Sequence, residues 1–92
     1  MLKYNKCEIA EYRSSFYIYF YDSVSLSRGI FLTKYLKVKK YNDNISQFTH
    51  YKSYREAIGY LKHFCKVKTK CKEYDAYTFN VDLNIDENLI EN

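Results

Sequence analysis

The chain has 92 residues and a formal net charge of +4, and 47% of its residues are hydrophobic while 28% are charged. This length predicts one domain, and the hydrophobic content excludes a wholly disordered chain. No apolar run approaches the roughly 18 residues of a membrane span, and the first residues lack the apolar stretch of a secretory signal. We therefore expect a soluble protein of the cytoplasm, or of the host cytoplasm if a phage encodes it, with no membrane partner.

The first half of the chain shows the two-residue period of β-strands. Lys3 to Tyr12 alternates loosely, whereas Ser15 to Tyr21 alternates throughout. A third strand is predicted from Ile30 to Tyr41, and a turn-rich segment connects it to the second as a hairpin. The core-facing residues of the second and third strands are predicted to be Phe16, Ile18, Phe20, Ile30, Leu32, Leu36 and Val38. The opposite face is predicted to carry Tyr17, Tyr19, Tyr21, Phe31, Thr33, Tyr35, Lys37, Lys39 and Tyr41.

A helix is predicted to begin near Ser53, because Glu56 follows three residues later and completes a capping box. Gly59 should weaken this helix by about 1 kcal/mol relative to alanine, and it suggests a close approach to the sheet. Tyr60, Lys62, His63 and Lys66 are predicted to face away from the core. The apolar stripe at helical spacing consists of Ala57, Ile58, Leu61, Phe64 and Cys65.

The remaining residues predict one more strand and a tail. The pattern of residues 66–72 is compatible with an extension of the helix and with a short strand, and the sequence does not decide between these two structures. Tyr77 to Ile85 alternates apolar and polar residues and predicts a strand. The domain is predicted to span residues 1–86, and the polar residues 87–92 are expected to fray as a C-terminal tail.

The predicted fold class is therefore α+β: a single domain in β-β-β-α-β order, with one helix packed on one face of an antiparallel sheet of about four strands. Its leading order of three strands and a helix resembles that of the small arm-binding domains of phage integrases, and Phe48 through Leu61 resembles the approach to their helix. This resemblance covers element order and a few spacings, without a diagnostic motif. It implies contact with DNA through the outer face of the sheet. The acidic composition of the predicted final strand departs from the pattern of those domains.

The potential ligands and nucleophiles do not form a recognisable catalytic, cofactor or metal site. Three cysteines, Cys7, Cys65 and Cys71, are an odd number, so we expect reduced, structural thiols. His63, Cys65 and Cys71 do not have the spacing of a structural zinc site. We therefore expect a protein that is not an enzyme and has no catalytic, cofactor-binding or metal-binding residues.

Charge is segregated along the chain. Residues 28–72 carry 12 basic side chains against Asp43 and Glu56, whereas residues 73–92 carry six acids and no base. Such segregation favours an electropositive face for an acidic partner or a polyanion. Asp82 would neutralise Lys37 and Lys39 if the last strand paired beside the third.

Two functions fit this surface. The first is a small non-enzymatic binding protein that blocks a larger host protein or nucleoprotein complex, of the phage or mobile-element anti-defence (anti-CRISPR-like) inhibitor class. The alternative is a DNA- or RNA-binding accessory domain that uses the tyrosine and lysine face directly. In both, the predicted partner-binding residues are Tyr17, Tyr19, Tyr21, Tyr35, Lys37, Lys39 and Tyr41. The sequence predicts no particular oligomeric state.

Overall fold

The computed structural model describes residues 1–25, 28–44, 48–70 and 77–91. They form a small single-domain α+β fold with one α-helix, α1 (Tyr54–Phe64), and one mixed sheet. The α+β class is confirmed, but about four strands is an undercount, since the described residues contain seven. The strands are β1 (Leu2–Tyr12), β2 (Ser15–Tyr21), β3 (Ile30–Leu32), β4 (Val38–Lys40), β5 (Val67–Lys70), β6 (Thr78–Ile85) and β7 (Ile90–Glu91).

The strands lie in the order β5-β6-β1-β2-β3-β4-β7. All neighbours are antiparallel except β4 and β7, which run parallel, so the sheet is mixed rather than antiparallel as predicted. The β1–β2 hairpin turns through Arg13 and Ser14, both at positive φ (51° and 64°). Two consecutive positive φ values are typical of the tight turns whose twist matches that of paired strands.

The helix covers the inner face of the sheet. Its predicted start is confirmed: the Ser53 hydroxyl accepts a hydrogen bond from the Glu56 amide at 3.1 Å. The Glu56 carboxylate accepts the reciprocal bond from the amide of Lys52, at 3.2 Å, instead of from Ser53 itself. Ala57 and Leu61 are fully buried against the sheet, while Ile58, Phe64 and Cys65 are partly buried there. Tyr60 also packs on this core, in contrast to its predicted outward position, because its ring lies 5.1 Å from that of Tyr51.

The two glycines have opposite surroundings. A Cβ on Gly29 would lie 1.8 Å from the Phe20 carbonyl oxygen, so the backbone requires glycine at that position. A Cβ on Gly59 would meet nothing within 4 Å. The predicted close approach of Gly59 to the sheet is therefore wrong, since this residue lies on the exposed side of α1.

The predicted third strand is divided into β3 and β4, because residues 33–37 form a turn that sends β4 back antiparallel to β3. Helix and strand were both open for residues 66–72, and the structure shows a strand over Val67–Lys70 that pairs with β6. Residues 71 and 72 lie outside the described residues. Four strands, instead of three, precede α1 in the described part of the chain, so the observed element order differs from that of the arm-binding domains of phage integrases.

The C-terminal residues differ from the predicted frayed tail. Glu87–Leu89 forms one turn of 3-10 helix, which the Asp86 side chain caps by accepting a hydrogen bond from the Asn88 amide at 3.0 Å. Ile90 then pairs with Val38 in the parallel β4–β7 ladder and is buried in the main core. A single buried isoleucine in a polar segment thus attaches these residues to the sheet.

No helix in the described ranges is long and apolar enough to cross a membrane.

Candidate functional site

The seven predicted partner-binding residues do not form one continuous exposed platform. Tyr17 is only 4% exposed, because Phe48 lies over the outer face of the sheet and encloses Tyr17 and Phe31 in a second, smaller core. The chain then crosses to the inner face, where Tyr51 exchanges backbone hydrogen bonds with Phe16. The expectation of an exposed Tyr17 is therefore wrong, since period-two alternation cannot show that another segment covers the face.

Beside this second core lies an aromatic cluster, which we define as Tyr19, Tyr21, Phe31 and Tyr41. The ring centroids of Tyr19 lie 5.6 Å from Tyr21, 5.1 Å from Phe31 and 5.8 Å from Tyr41. The Tyr19 hydroxyl accepts a hydrogen bond from the Gly29 amide at 2.9 Å, which fixes the ring across the neighbouring strand. Lys39 lies directly opposite Phe31 in the β3–β4 ladder and is half-buried. The cluster thus exposes only part of each tyrosine ring, while Phe31 belongs to the second core and is buried.

Cations border the aromatic cluster. The guanidinium carbon of Arg28 lies 5.0 Å from the centre of the Tyr41 ring, and its Nη1 atom lies 2.8 Å from the carboxylate of Asp43.

Asp82 lies on β6, which three strands separate from β4. Its carboxylate is 3.9 Å from Lys68 Nζ, so it does not neutralise Lys37 or Lys39.

Tyr35 and Lys37 lie elsewhere, on the turn between β3 and β4, which we call the tip turn (residues 33–37). Buried Thr33 organises it: its amide donates to the Lys37 carbonyl at 2.8 Å, and its carbonyl accepts from the Leu36 amide at 3.0 Å. The Thr33 hydroxyl accepts from the amides of Tyr35 at 3.3 Å and Lys37 at 3.2 Å. Four hydrogen bonds to one residue make this turn rigid.

The rigid tip turn presents apolar side chains to solvent. Tyr35 is 86% exposed, and Leu36 is 37% exposed with a φ of 59°. A branched apolar residue in the left-handed region is uncommon and strained. Lys37 is exposed at the end of the turn, with its Nζ atom 3.8 Å from the Glu91 carboxylate. The predicted core position of Leu36 is therefore wrong, because the strand predicted from Ile30 to Tyr41 is interrupted by this turn.

Two cavities meet at Leu36. The first, which we call the helix groove, has a volume of about 310 Å³ and lies between the tip turn and α1. The second, the end cavity, has a volume of about 610 Å³ and is bordered by exposed Met1 and Leu89. The helix groove is lined by Lys34, Leu36, Arg55, Glu56, Gly59, Tyr60 and His63. One end of the molecule therefore combines exposed apolar groups with concave surface, which is typical of protein interaction sites.

The described thiols are buried to different degrees. Cys7 is fully buried in the main core, and Cys65 is half-buried at the end of α1. Burial raises the pKa of the Cys65 thiol from 9.0 to about 11, and it also raises the pKa of the Cys7 thiol. A thiol whose pKa is raised by burial is a poor nucleophile near neutral pH. Cys71 lies outside the described residues.

These pKa shifts predict that stability falls at alkaline pH. Between pH 9 and 11 the unfolded chain loses the Cys65 proton that the folded chain keeps, so unfolding becomes more favourable as the pH rises. Below pH 9 the folded and unfolded chains both hold this proton, so the Cys65 thiol does not lower the free energy of unfolding there. Urea unfolding at a series of pH values should show this fall, and Cys65→Ala should make it shallower. Cys7, Tyr4, Tyr51 and Tyr54, whose pKa values burial also raises, supply the remainder. An equally steep fall in the variant would contradict the assignment.

Comparison with known proteins found no similarity to this chain: no family model, no curated protein and no solved structure matches it. The features of this chain that bear on its function are therefore the tip turn, the helix groove and the aromatic cluster.

Proposed function

We propose that this chain is a small non-enzymatic binding protein that blocks a larger host protein or nucleoprotein complex, in the manner of phage or mobile-element anti-defence (anti-CRISPR-like) inhibitors. The observation that carries the proposal is the tip turn, where an 86% exposed tyrosine stands on a turn held by four hydrogen bonds. Tyr35 and Leu36 supply the apolar contact, and Lys34 and Lys37 supply charge at its edge.

Two physical properties make the tip turn suited to binding. Aromatic side chains contribute large contact areas and often dominate the energy of an interface. A turn that is already ordered loses little conformational entropy when it binds, so more of the contact energy appears as affinity. An exposed, preorganised tyrosine beside Leu36, which lines two cavities, fits a pocket on a larger partner.

The aromatic cluster supports the alternative, a DNA- or RNA-binding accessory domain. Tyr19, Tyr21 and Tyr41 are half-buried, and Arg28 lies against one ring. Aromatic rings beside cations suit stacking with unpaired bases. The partial burial of these rings leaves less stacking surface than three exposed tyrosines would offer, which is why we favour the protein-binding role at the tip turn.

The proposal is tested in bacteria that carry a CRISPR–Cas or restriction system directed against a plasmid. The intact protein should raise the transformation efficiency of that plasmid in at least one member of a panel of such systems. Tyr35→Ala should reduce this effect, because loss of an aromatic anchor lowers affinity about thirtyfold or more. Tyr12→Ala, which removes another exposed tyrosine from a different hairpin, is the matched control and should retain the effect.

The alternative is tested with single- and double-stranded oligonucleotides. Submicromolar binding at physiological salt, with a log-log salt slope of about −0.7 to −0.9 per neutralised phosphate, would favour it over our proposal. Lys39→Ala combined with Arg28→Ala should then flatten the slope. A lack of protection across the whole panel, or equal loss with Tyr12→Ala and Tyr35→Ala, would contradict the protein-blocking role at the tip turn.

A further inference from the structure

Two locally unfavourable residues lie on the helix groove. Gly59 is in the middle of α1, where glycine is less favourable than alanine, yet a Cβ there would meet nothing within 4 Å. No neighbouring group in the described part of the chain therefore requires glycine at this position. Its missing side chain leaves concave space on the exposed side of the helix, opposite the tip turn.

Leu36 is the second of these residues. Its φ of 59° places it in the left-handed region, which glycine or asparagine would occupy at lower cost. This conformation brings Leu36 to the wall that the helix groove shares with the end cavity. Gly59 and Leu36 thus both depart from local conformational preference, and both line the same groove. Such departures often mark a binding site.

The charges around the helix groove favour an acidic ligand. Its one acid, Glu56, is already occupied: the carboxylate lies 3.4 Å from Lys34 Nζ and accepts a hydrogen bond from the Lys52 amide. These contacts hold the pKa of Glu56 below its ordinary value. Within the described ranges, no carboxylate lies within ion-pairing distance of exposed Arg55. His63 adds hydrogen-bonding capacity to the same rim.

We propose that the helix groove binds a short acidic peptide segment of the partner, with one large apolar side chain seated over Gly59 and a flanking carboxylate paired with Arg55. Leu36 and Tyr60 form the apolar walls. A carboxylate would form a bidentate pair with the exposed guanidinium of Arg55. The inference rests on the proposed function, since it assigns the partner's chemistry at a surface next to Tyr35.

The test uses a displayed library of random 12-residue peptides panned on the intact protein. Enriched peptides should contain a large apolar residue flanked by Asp or Glu. Gly59→Leu fills the groove and should lower the affinity of the enriched peptides at least about tenfold, as should Arg55→Glu. Lys62→Glu makes the same charge change on an exposed residue that does not line the groove, and it should have little effect. Thermal melting checks that each variant folds, and Gly59→Ala should melt higher than the parent.

Several results would overturn the inference. These are the absence of enrichment, the enrichment of basic or uncharged peptides, unchanged binding to Gly59→Leu, and equal losses with Arg55→Glu and Lys62→Glu. Self-association that Gly59→Leu abolishes would instead make a second copy of the chain the occupant. The plasmid assay keeps the two proposals distinct. If Gly59→Leu protects a plasmid as well as the parent while Tyr35→Ala does not, the groove inference fails and the proposed function stands.

Discussion

Replacing Phe20 with alanine should lower the free energy of unfolding by about 3 to 5 kcal/mol. Phe20 is fully buried on β2, in the middle of the sheet, and packs in the main core. Removing its ring leaves a cavity that the surrounding strands can close only in part, because the backbone hydrogen bonds hold them in place. Urea unfolding should show a lower midpoint with an unchanged slope.

Phe64→Ala is the informative comparison. The sequence pattern places Phe64 in the core, where its loss would cost as much as that of Phe20. In the structure it is partly buried at the end of α1, with its ring centroid 5.7 Å from that of Phe20. We expect its replacement to cost roughly half as much, because less apolar area leaves water. An equal loss of the free energy of unfolding in the two variants would contradict the partial burial of Phe64.

Removing residues 87–92 should destabilise the protein by about 2 kcal/mol or more. Ile90 is 8% exposed and lies in the main core, and its pairing with Val38 covers the open edge of β4. A truncated chain exposes both the apolar side chain of Val38 and the hydrogen-bonding groups of this edge. The free energy of unfolding and the solubility of the truncated chain measure these two effects.

Two point variants separate the contribution of Ile90 from a general effect of shortening. Ile90→Ala should account for most of the lost stability. Leu89→Ala should stay within about 0.5 kcal/mol of the parent, since Leu89 is 69% exposed. A truncated chain as stable as the parent would restore the interpretation of these residues as a frayed tail.

Elements defined by local patterns were predictable from the sequence. The strand over Ser15–Tyr21 matches its predicted bounds, and β6 begins one residue after the predicted Tyr77. The start of α1 directly after its N-cap Ser53 was also predictable, because a capping residue acts within one turn of its own position. Alternation and capping depend on near neighbours, so they can be recognised without knowledge of the fold.

The remaining features depend on contacts between distant residues. The parallel pairing of β7 with β4 rests on one isoleucine, which is too short a signal to predict a strand. The burial of Tyr17 depends on Phe48, 31 positions later in the chain. The tip turn was missed because it contains no glycine, proline or asparagine, and its left-handed residue is a leucine. The sequence thus predicted Tyr35 and Lys37 as binding residues, while their placement on an isolated turn required the structure.

The pairing of β1 with β6 has a consequence for the order in which the protein is made. The first strand of the chain has β2 on one side and β6 on the other, and its Leu2 lies opposite Ile85. During synthesis the hairpin of β1 and β2 can form early, but one edge of β1 stays open until residues 78–85 have left the ribosome. Contacts between such distant residues also slow folding. The nascent chain therefore carries an unpaired strand edge from the synthesis of β1 until β6 emerges, and the cell's chaperones would encounter it in that form.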